Sequence, residues 1–165
     1  MMKERKGEHP YGDAGQIILL VVFMAVWIAD SFFLRRTTFL AGGTPLSIRL
    51  VICGLLTVIG VLLARSGHRV VEHPERPDHV VQSGAFRYVR HPLYLASILF
   101  YFSLLVSTVS IACALLLIVI VVFYNYIAKY EEILLMRRFG EEYARYRVLT
   151  GKWLPRPGRR AGSWG

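Results

Sequence analysis

The stretch from Gly84 to Tyr94 combines side chains that could bind a polar ligand at the start of a helix. It reads Gly-Ala-Phe-Arg-Tyr-Val-Arg-His-Pro-Leu-Tyr and leads into a long apolar run. Pro92 suits the first turn of a helix, where the N–H that proline lacks would be unpaired anyway. The other N–H groups of such a turn attract anions, for example the carboxylate of an amino-acid-like cofactor. Alternatively, Arg87 and Arg90, with the tyrosine between them, only anchor the helix at lipid headgroups.

Two adjacent glutamates, Glu131 and Glu132, lie at the end of the last apolar run. An unpaired carboxylate costs about 2.5 to 3.5 kcal/mol deep in lipid and less near the interface. Both side chains therefore need a partner or a function. One interpretation is a salt bridge to Arg87, Arg90 or Lys129, and the other is a contact with the cationic amino group of a cofactor.

Other polar and aromatic residues carry weaker signals. Asp30 lies in the first apolar run, where a hydrogen-bonded contact between helices is a better explanation than catalysis. Trp153, two residues before a proline, could fold the tail back against the membrane. No pair among His68, His73 and His79 has a convincing metal-ligand spacing, so we expect no metal site.

The composition of the 165-residue chain is that of a membrane protein. Its residues are 55% hydrophobic and its mean hydropathy is +0.44, which is too apolar for a soluble domain of this length. The formal charge of +9 then indicates attraction to anionic headgroups, and we expect no nucleic-acid partner. Cys53 and Cys113 lie in apolar runs without a CxxC spacing, so neither a disulfide nor a zinc site is expected.

The hydropathy pattern predicts an all-α, polytopic transmembrane helical bundle of about four spans. A bilayer core of about 30 Å needs about 20 apolar residues in a helix. Residues 15–34 and 46–64 meet this need, and residues 92–127 are long enough for a helical hairpin that turns near 107–110. Residues 129–147 follow as a C-terminal amphipathic interfacial helix.

The distribution of positive charge predicts the orientation in the membrane. Of the 20 Lys and Arg residues, only Arg35, Arg36 and Arg49 fall on the side of the first loop. The positive-inside rule then puts both termini and the central loop in the cytoplasm, in a protein of the cytoplasmic membrane. We expect one domain, 1–165, with a tail (1–14), two helices (15–64), a loop (65–91), the hairpin (92–128), and the interfacial helix and tail (129–165).

The motifs resemble, in order and spacing, those of isoprenylcysteine carboxyl methyltransferases, in the superfamily that includes phospholipid methyltransferases. The resemblance covers residues 65–155 and rests on Gly84-x-Phe-Arg-Tyr-Val-Arg-His-Pro-x-Tyr94, a helical hairpin, and Glu131-Glu132-x-x-Leu135-x-x-x-Phe139-Gly-x-Glu-Tyr143-x-x-Tyr146. It implies an enzyme that binds S-adenosyl-L-methionine at the cytoplasmic face. The methyl acceptor is then lipophilic and enters sideways from the bilayer.

The resemblance also implies roles for individual residues. Glu131 and Arg90 are expected to be catalytic, and Lys129 and Arg147 to anchor an anionic group of the substrate. The expected cofactor-binding residues are Glu72, His79, Val80, Val81, Phe86, His91, Pro92, Leu93, Tyr94 and Glu131.

Three departures from the family pattern affect the substrate prediction more than the cofactor prediction. Ala96 stands where many members have glycine, and Leu149 where an arginine often precedes the tail proline. Ile127 or Lys129 stands where some members have a substrate-binding arginine. Lys129 and Arg147 are the cations that could take over as anion anchors.

Several acceptors and functions remain open at this point. The carboxylate of a protein isoprenylcysteine is the best-known acceptor of the family, and a phospholipid amine or a small isoprenoid acid fits equally well. A related His-Pro region occurs in NADPH-dependent sterol reductases, whose cores are much larger. A non-catalytic small membrane protein, such as a transporter, is the third possibility. Against it, the polar groups of this chain cluster at one membrane edge, whereas transporters bind substrate near the midplane. Oligomeric state is not indicated.

Overall fold

The computed structural model describes residues 12–71 and 79–156, and within them the chain forms five α-helices and no strand. A π-helical turn, Ala29–Leu34, continues the first helix, and 3-10 turns occur at Phe39–Gly43 and Gly84–Arg87. The helices are α1 (Gly12–Ile28), α2 (Leu46–Val71), α3 (Pro92–Thr108), α4 (Ile111–Phe139) and α5 (Glu141–Leu149).

In the part of the chain that the structure describes, three helical stretches are long and apolar enough to cross a bilayer, namely Gly12–Leu34, Leu46–Arg69 and Ile111–Phe139. The apolar helix Pro92–Thr108 has 17 residues. At a rise of 1.5 Å per residue it spans about 26 Å, the lower end of what a hydrocarbon core requires. The prediction of an all-helical integral membrane protein with about four spans is confirmed.

The predicted turn between the last two spans is also confirmed. Thr108 ends α3, and Val109 adopts a left-handed conformation with φ of 51°. Ser110 then caps α4, because its hydroxyl oxygen accepts a hydrogen bond from the Cys113 N–H at 3.2 Å. Two residues thus suffice to reverse the chain and make α3 and α4 a hairpin.

Asp30, in the π-helical turn that continues α1, forms a hydrogen bond with the turn of this hairpin. Its buried carboxylate accepts hydrogen bonds from the Ser110 hydroxyl at 2.6 Å, from the Thr37 N–H at 3.1 Å and from the Thr37 hydroxyl. The expected contact between helices is therefore present, and it lies at the end of the bundle away from the motif residues.

Replacing Asp30 with alanine should lower the free energy of unfolding by about 1 to 3 kcal/mol, because the change leaves donors on buried Ser110 and half-buried Thr37 without their acceptor. Thermal unfolding in detergent measures the effect. Ser31→Ala is the matched control, since the neighbouring Ser31 hydroxyl is buried without a partner among the described residues. Equal stability of the two variants would contradict this role for Asp30.

The interior of the bundle forms where α1, α3 and α4 meet. Phe23 of α1 packs against Tyr101 of α3, with ring centroids 4.8 Å apart. The Trp27 indole N–H donates to the Leu104 carbonyl of α3 at 3.1 Å. The buried residues of this core are Phe23, Tyr101, Cys113, Ile120 and Tyr124.

The second helix lies against α3 and turns most of its apolar side chains outward, toward lipid. Two glycines allow the close approach. A Cβ at Gly60 would lie 3.3 Å from the Ala96 carbonyl oxygen, and one at Gly67 would lie 3.0 Å from a methyl group of Leu93. The absence of a side chain at Gly67 lets α2 lie against the first turn of α3, which contains Pro92 and Leu93 of the sequence motif.

Two element boundaries differ from the predicted ones. The second helix continues to Val71, past Arg65, where the loop was expected to begin. The end of an apolar run marks the membrane edge, and polar helix formers can extend the helix beyond it. The single helix expected over 129–147 is divided at Gly140, whose φ is +49°. Glycine adopts this conformation without steric cost, so α4 ends there and α5 turns away.

Candidate functional site

A cavity of about 350 Å³ opens at the end of the bundle where α1 and α3 begin and α4 ends. We call it the first cavity. Polar or charged side chains from α1 and α3 that were not predicted also line it, namely Asp13, Gln16 and Ser97. The predicted site residues that line it are Phe86, Arg90, His91, Pro92, Leu93, Tyr94 and Glu131.

Glu131 faces this cavity and is held by the start of α3. One carboxylate oxygen accepts a hydrogen bond from the Tyr94 hydroxyl. The other lies 3.6 Å from Nδ1 of His91. Glu131 therefore keeps a fixed orientation and remains at the wall of the cavity.

His91 lies between the two glutamates and two aromatic rings. Its Nε2 is 3.2 Å from Oε1 of Glu132. The imidazole stacks on Tyr94 with an interplanar angle of 9°, and the Trp153 ring packs against it with a centroid distance of 5.8 Å. Trp153, a weak signal in the sequence, thus packs the tail against His91.

The surroundings of His91 favour its protonated form. Burial of the imidazole opposes protonation, but hydrogen bonds and charge from Glu131 and Glu132 outweigh it, so the pKa of His91 lies above its ordinary value. His91 consequently keeps its proton to a higher pH than an exposed histidine. Protonated, it partly compensates the two adjacent carboxylates.

Arg90 joins α4 to the end of α5 and to the tail. Its Nε donates to Glu132 at 3.0 Å, and its Nη1 donates to the carbonyls of Arg147, at 3.0 Å, and Thr150. Its backbone N–H donates to the Gly151 carbonyl at 2.9 Å. The side chain is 9% exposed and that of Glu132 13%. These contacts indicate that Arg90 positions its neighbours, and its predicted catalytic role stays a prediction.

The tail after α5 packs tightly at Gly151. A Cβ at this residue would lie 1.8 Å from the Leu154 carbonyl oxygen, a distance that requires the backbone to move. Beyond it, Lys152 donates to the Asn125 side chain of α4 at 2.6 Å. The tail therefore holds Trp153 against His91 only if residue 151 lacks a side chain.

Gly151→Ala should displace Trp153 and weaken cofactor binding about tenfold, because His91, which lines the first cavity, would lose its contact with the Trp153 ring. Calorimetric titration with S-adenosyl-L-methionine, the cofactor proposed below, measures the effect. Gly54→Ala is the control, since a Cβ there has nothing within 4 Å. An unchanged affinity in Gly151→Ala would show that the tail does not shape the site.

The short helix α5 supports the loop that precedes α3. The Tyr146 hydroxyl donates to the Phe86 carbonyl at 2.6 Å, and a Glu142 carboxylate oxygen accepts from the Val80 N–H at 2.8 Å. Val80 is buried, whereas His79 is exposed. Neither these two residues nor Val81 lines the first cavity. Their cofactor-binding roles stay predictions, and Glu72 lies outside the described residues.

A second cavity, of about 550 Å³, lies beside the first and is lined by Lys129 and Arg147, the predicted substrate anchors. Arg90 lines both cavities, whereas Glu131 lines the first and Glu132 the second. Neither Lys129 nor Arg147 lines the first cavity. Their predicted role in substrate binding is not tested by this placement.

An apolar groove of about 520 Å³ runs between α1, α2 and α3 from the first cavity toward the lipid. Gln16, Leu93 and Ser97 line both spaces, so the two are adjacent. Ile17 and Val61, at its edges, are 63% and 47% exposed. The groove therefore opens at the apolar outer side of the bundle.

Within residues 12–71 and 79–156, no group of three or more His, Cys, Asp or Glu side chains could hold a metal ion. The ionisable groups of the site pair with one another instead, in the Arg90–Glu132 and His91–Glu131 contacts.

Comparison with known proteins identifies a family. No curated protein matches the chain. A family model described as phospholipid methyltransferase matches residues 45–142, which is more than half of the 165 residues. The match runs from the start of α2 to the start of α5 and includes His91, Tyr94 and Glu131. The superfamily resemblance noted in the sequence is thus confirmed, and the chain belongs to the phospholipid methyltransferase family.

Proposed function

We propose that the chain transfers a methyl group from S-adenosyl-L-methionine to a lipid amine, with the cofactor in the first cavity and the lipid chain in the apolar groove. Membership of the family makes it a membrane methyltransferase and implies this methyl donor. The observation that carries the proposal is the junction of a cavity that contains charged side chains with an apolar groove at the side of the bundle.

The residues of the first cavity fit the proposed cofactor. Its volume lies in the range of small-ligand pockets. The His91 side chain makes no capping hydrogen bond at the start of α3. The N–H groups of a helix start attract anions, and the cofactor's carboxylate is a suitable one. Glu131 offers a carboxylate for a cationic group, and the Phe86 and Tyr94 rings offer apolar faces.

When bound, the cofactor supplies a methyl group on a positively charged sulfur, which becomes a neutral thioether after transfer. The chain contributes orientation and the exclusion of water. Ile127 and Leu135 form an apolar part of the wall, and Tyr94 and His91 hold Glu131 in place. Alignment of two reactants can lower a barrier by up to roughly 7 to 11 kcal/mol, and removal of water strengthens the electrostatic contacts.

The charges around the first cavity favour an amine acceptor over a carboxylate. Its wall carries the carboxylates of Asp13 and Glu131. The two cationic side chains of the wall are already paired. Arg90 is bonded to Glu132 and to backbone carbonyls, and protonated His91 lies against Glu131 and Glu132. A carboxylate acceptor would therefore meet repulsion without a free cation, whereas an amine finds hydrogen-bond acceptors.

Methylation of an amine requires the loss of a proton, and Glu131 is the carboxylate of the first cavity that we propose as its acceptor. The nitrogen lone pair would form the bond to the methyl group that the cofactor supplies, the cofactor would leave as a neutral thioether, and Glu131 would accept the proton that the nitrogen loses. General-base assistance of this kind contributes 10²- to 10⁴-fold. The Tyr94 hydroxyl, which donates to Glu131, orients the carboxylate for this step.

The second candidate acceptor is the carboxylate of an isoprenylcysteine. It is favoured by the order and spacing of the His91 and Glu131 motifs, which resemble those of the isoprenylcysteine enzymes. Such an acceptor is already ionised at neutral pH and needs no base.

A pH–rate profile with two acceptors distinguishes the candidates. With a phosphatidylethanolamine, kcat/KM should rise as the pH is raised through neutrality, because only the deprotonated amine has a lone pair for attack. With a farnesylcysteine, the profile should be flat over the same range. Transfer to farnesylcysteine alone would contradict the amine proposal and favour the carboxylate.

We further propose, as the charge distribution of the sequence suggested, that both termini and the first cavity lie on the cytoplasmic side of the cytoplasmic membrane. This is supported by Lys129, Arg137 and Arg147 at the end that carries the cavity, with Arg35 and Arg36 beyond the other end of α1. The test is labelling of the Arg145→Cys variant in intact cells with a thiol reagent that does not cross the membrane. Labelling would place this residue outside the cell and would contradict the proposed orientation.

A further inference from the structure

The second cavity gathers positive charge from three separate parts of the chain. Lys129 and Arg137 come from α4, Arg147 from α5 and Arg156 from the tail. Among the described residues that line it, Glu132 is the one carboxylate, and its oxygen is already bonded to Arg90 and close to His91. The cations therefore face a common space with a surplus of positive charge, which an anion would relieve.

The cavity lies at the membrane edge and has an apolar part. Ile133, which is 45% exposed, and Met136 line it together with the cations. Both lie in the last two turns of α4, directly after the apolar length of that helix. A ligand with a phosphate group next to a hydrocarbon chain matches this combination better than a fully hydrated ion does.

Arg90 lines both cavities, and its guanidinium is bonded to Glu132 and to the Arg147 carbonyl. Glu131 lines the first cavity and not the second. A ligand in the second cavity is thus separated from Glu131 and from the proposed site of methyl transfer.

We propose that the second cavity binds the phosphate group of an anionic phospholipid that is not the methyl acceptor. Lys129 and Arg147 supply the principal charges, and the lipid chains run along the apolar side of α4. The bound lipid holds α5 and the tail against α4, so it should raise the melting temperature of the protein. This proposal does not depend on the identity of the acceptor.

The test is lipid binding by the full chain, purified in detergent, with short-chain phosphatidylglycerol as the probe. Calorimetry is the readout, and phosphatidylcholine of the same chain length and inorganic phosphate are the comparison ligands. The double variant Lys129→Gln with Arg147→Gln should bind phosphatidylglycerol about 30-fold more weakly. Each single variant should lose about fivefold, which keeps the test decisive if the double variant does not fold.

A second pair of substitutions controls for general attraction between charges. Arg65→Gln with Arg145→Gln removes the same charge from exposed residues that do not line the cavity. This pair should bind within about threefold of the unmodified chain. Equal weakening by both pairs would overturn the proposal in favour of non-specific attraction. Equal affinity for phosphatidylcholine, or tighter binding of inorganic phosphate than of phosphatidylglycerol, would also overturn it.

Discussion

Glutamine in place of Glu131 should lower kcat/KM for methyl transfer about 100- to 10,000-fold, because the amide cannot accept the proton of the amine. The amide keeps the size of the side chain and can still accept a hydrogen bond from Tyr94. The loss should therefore appear mainly in kcat, with the protein still folded. Initial rates of methyl transfer to a phosphatidylethanolamine measure it.

Glu141→Gln is the matched control for this change. Glu141 is an exposed glutamate on α5 and does not line the first cavity. Its substitution should leave kcat/KM within about twofold of the unmodified chain, the range expected of a surface change. If Glu131→Gln also stayed within that range, Glu131 could not be the proton acceptor.

Glutamine in place of Arg90 should lower the free energy of unfolding by about 3 kcal/mol, because it leaves Glu132 as a nearly buried charge without its arginine. The carbonyls of Arg147 and Thr150 would lose a donor as well. Denaturant unfolding in detergent, followed by helix content, measures the change. Arg145→Gln, at an exposed position on α5, should have a small effect.

A double-mutant cycle separates the ion pair from the other contacts of Arg90. Glu132→Gln in the Arg90→Gln background should cost much less than Glu132→Gln alone, since the carboxylate that it removes has already lost its partner. Additive losses would show that the two side chains do not depend on each other. Arg90 would then not be the positioning residue described above.

The spans and the hairpin could be predicted because each depends on a local property of the sequence. Apolar length located the membrane helices, and the hydroxyl groups around Val109 located the turn. The hairpin brings its two ends together, so Tyr94 at its start contacts Glu131 at its end, a contact that the sequence analysis did not predict. Hydropathy did not indicate where α2 ends, because its last turns lie beyond the apolar run.

The residues that the sequence did not reveal depend on contacts between distant segments. Asp13 and Gln16 have no local signal of function, and they reach the first cavity only because α1 packs beside α4. The bonds from Arg90 to the Thr150 and Gly151 carbonyls form because Gly140 redirects the chain, so that the tail returns to α3. The glycine itself was the available signal for that redirection.

Calorimetric binding of S-adenosyl-L-methionine, or of its demethylated product, to the detergent-solubilised chain tests the proposed site most directly. His91→Ala and Glu131→Ala are the comparison variants, since both residues line the first cavity. We predict that the unmodified chain binds the cofactor and that both variants bind it at least tenfold more weakly, the loss that removal of one charged hydrogen bond produces. An absence of binding at millimolar cofactor, by a chain shown to be folded, would contradict the proposed site.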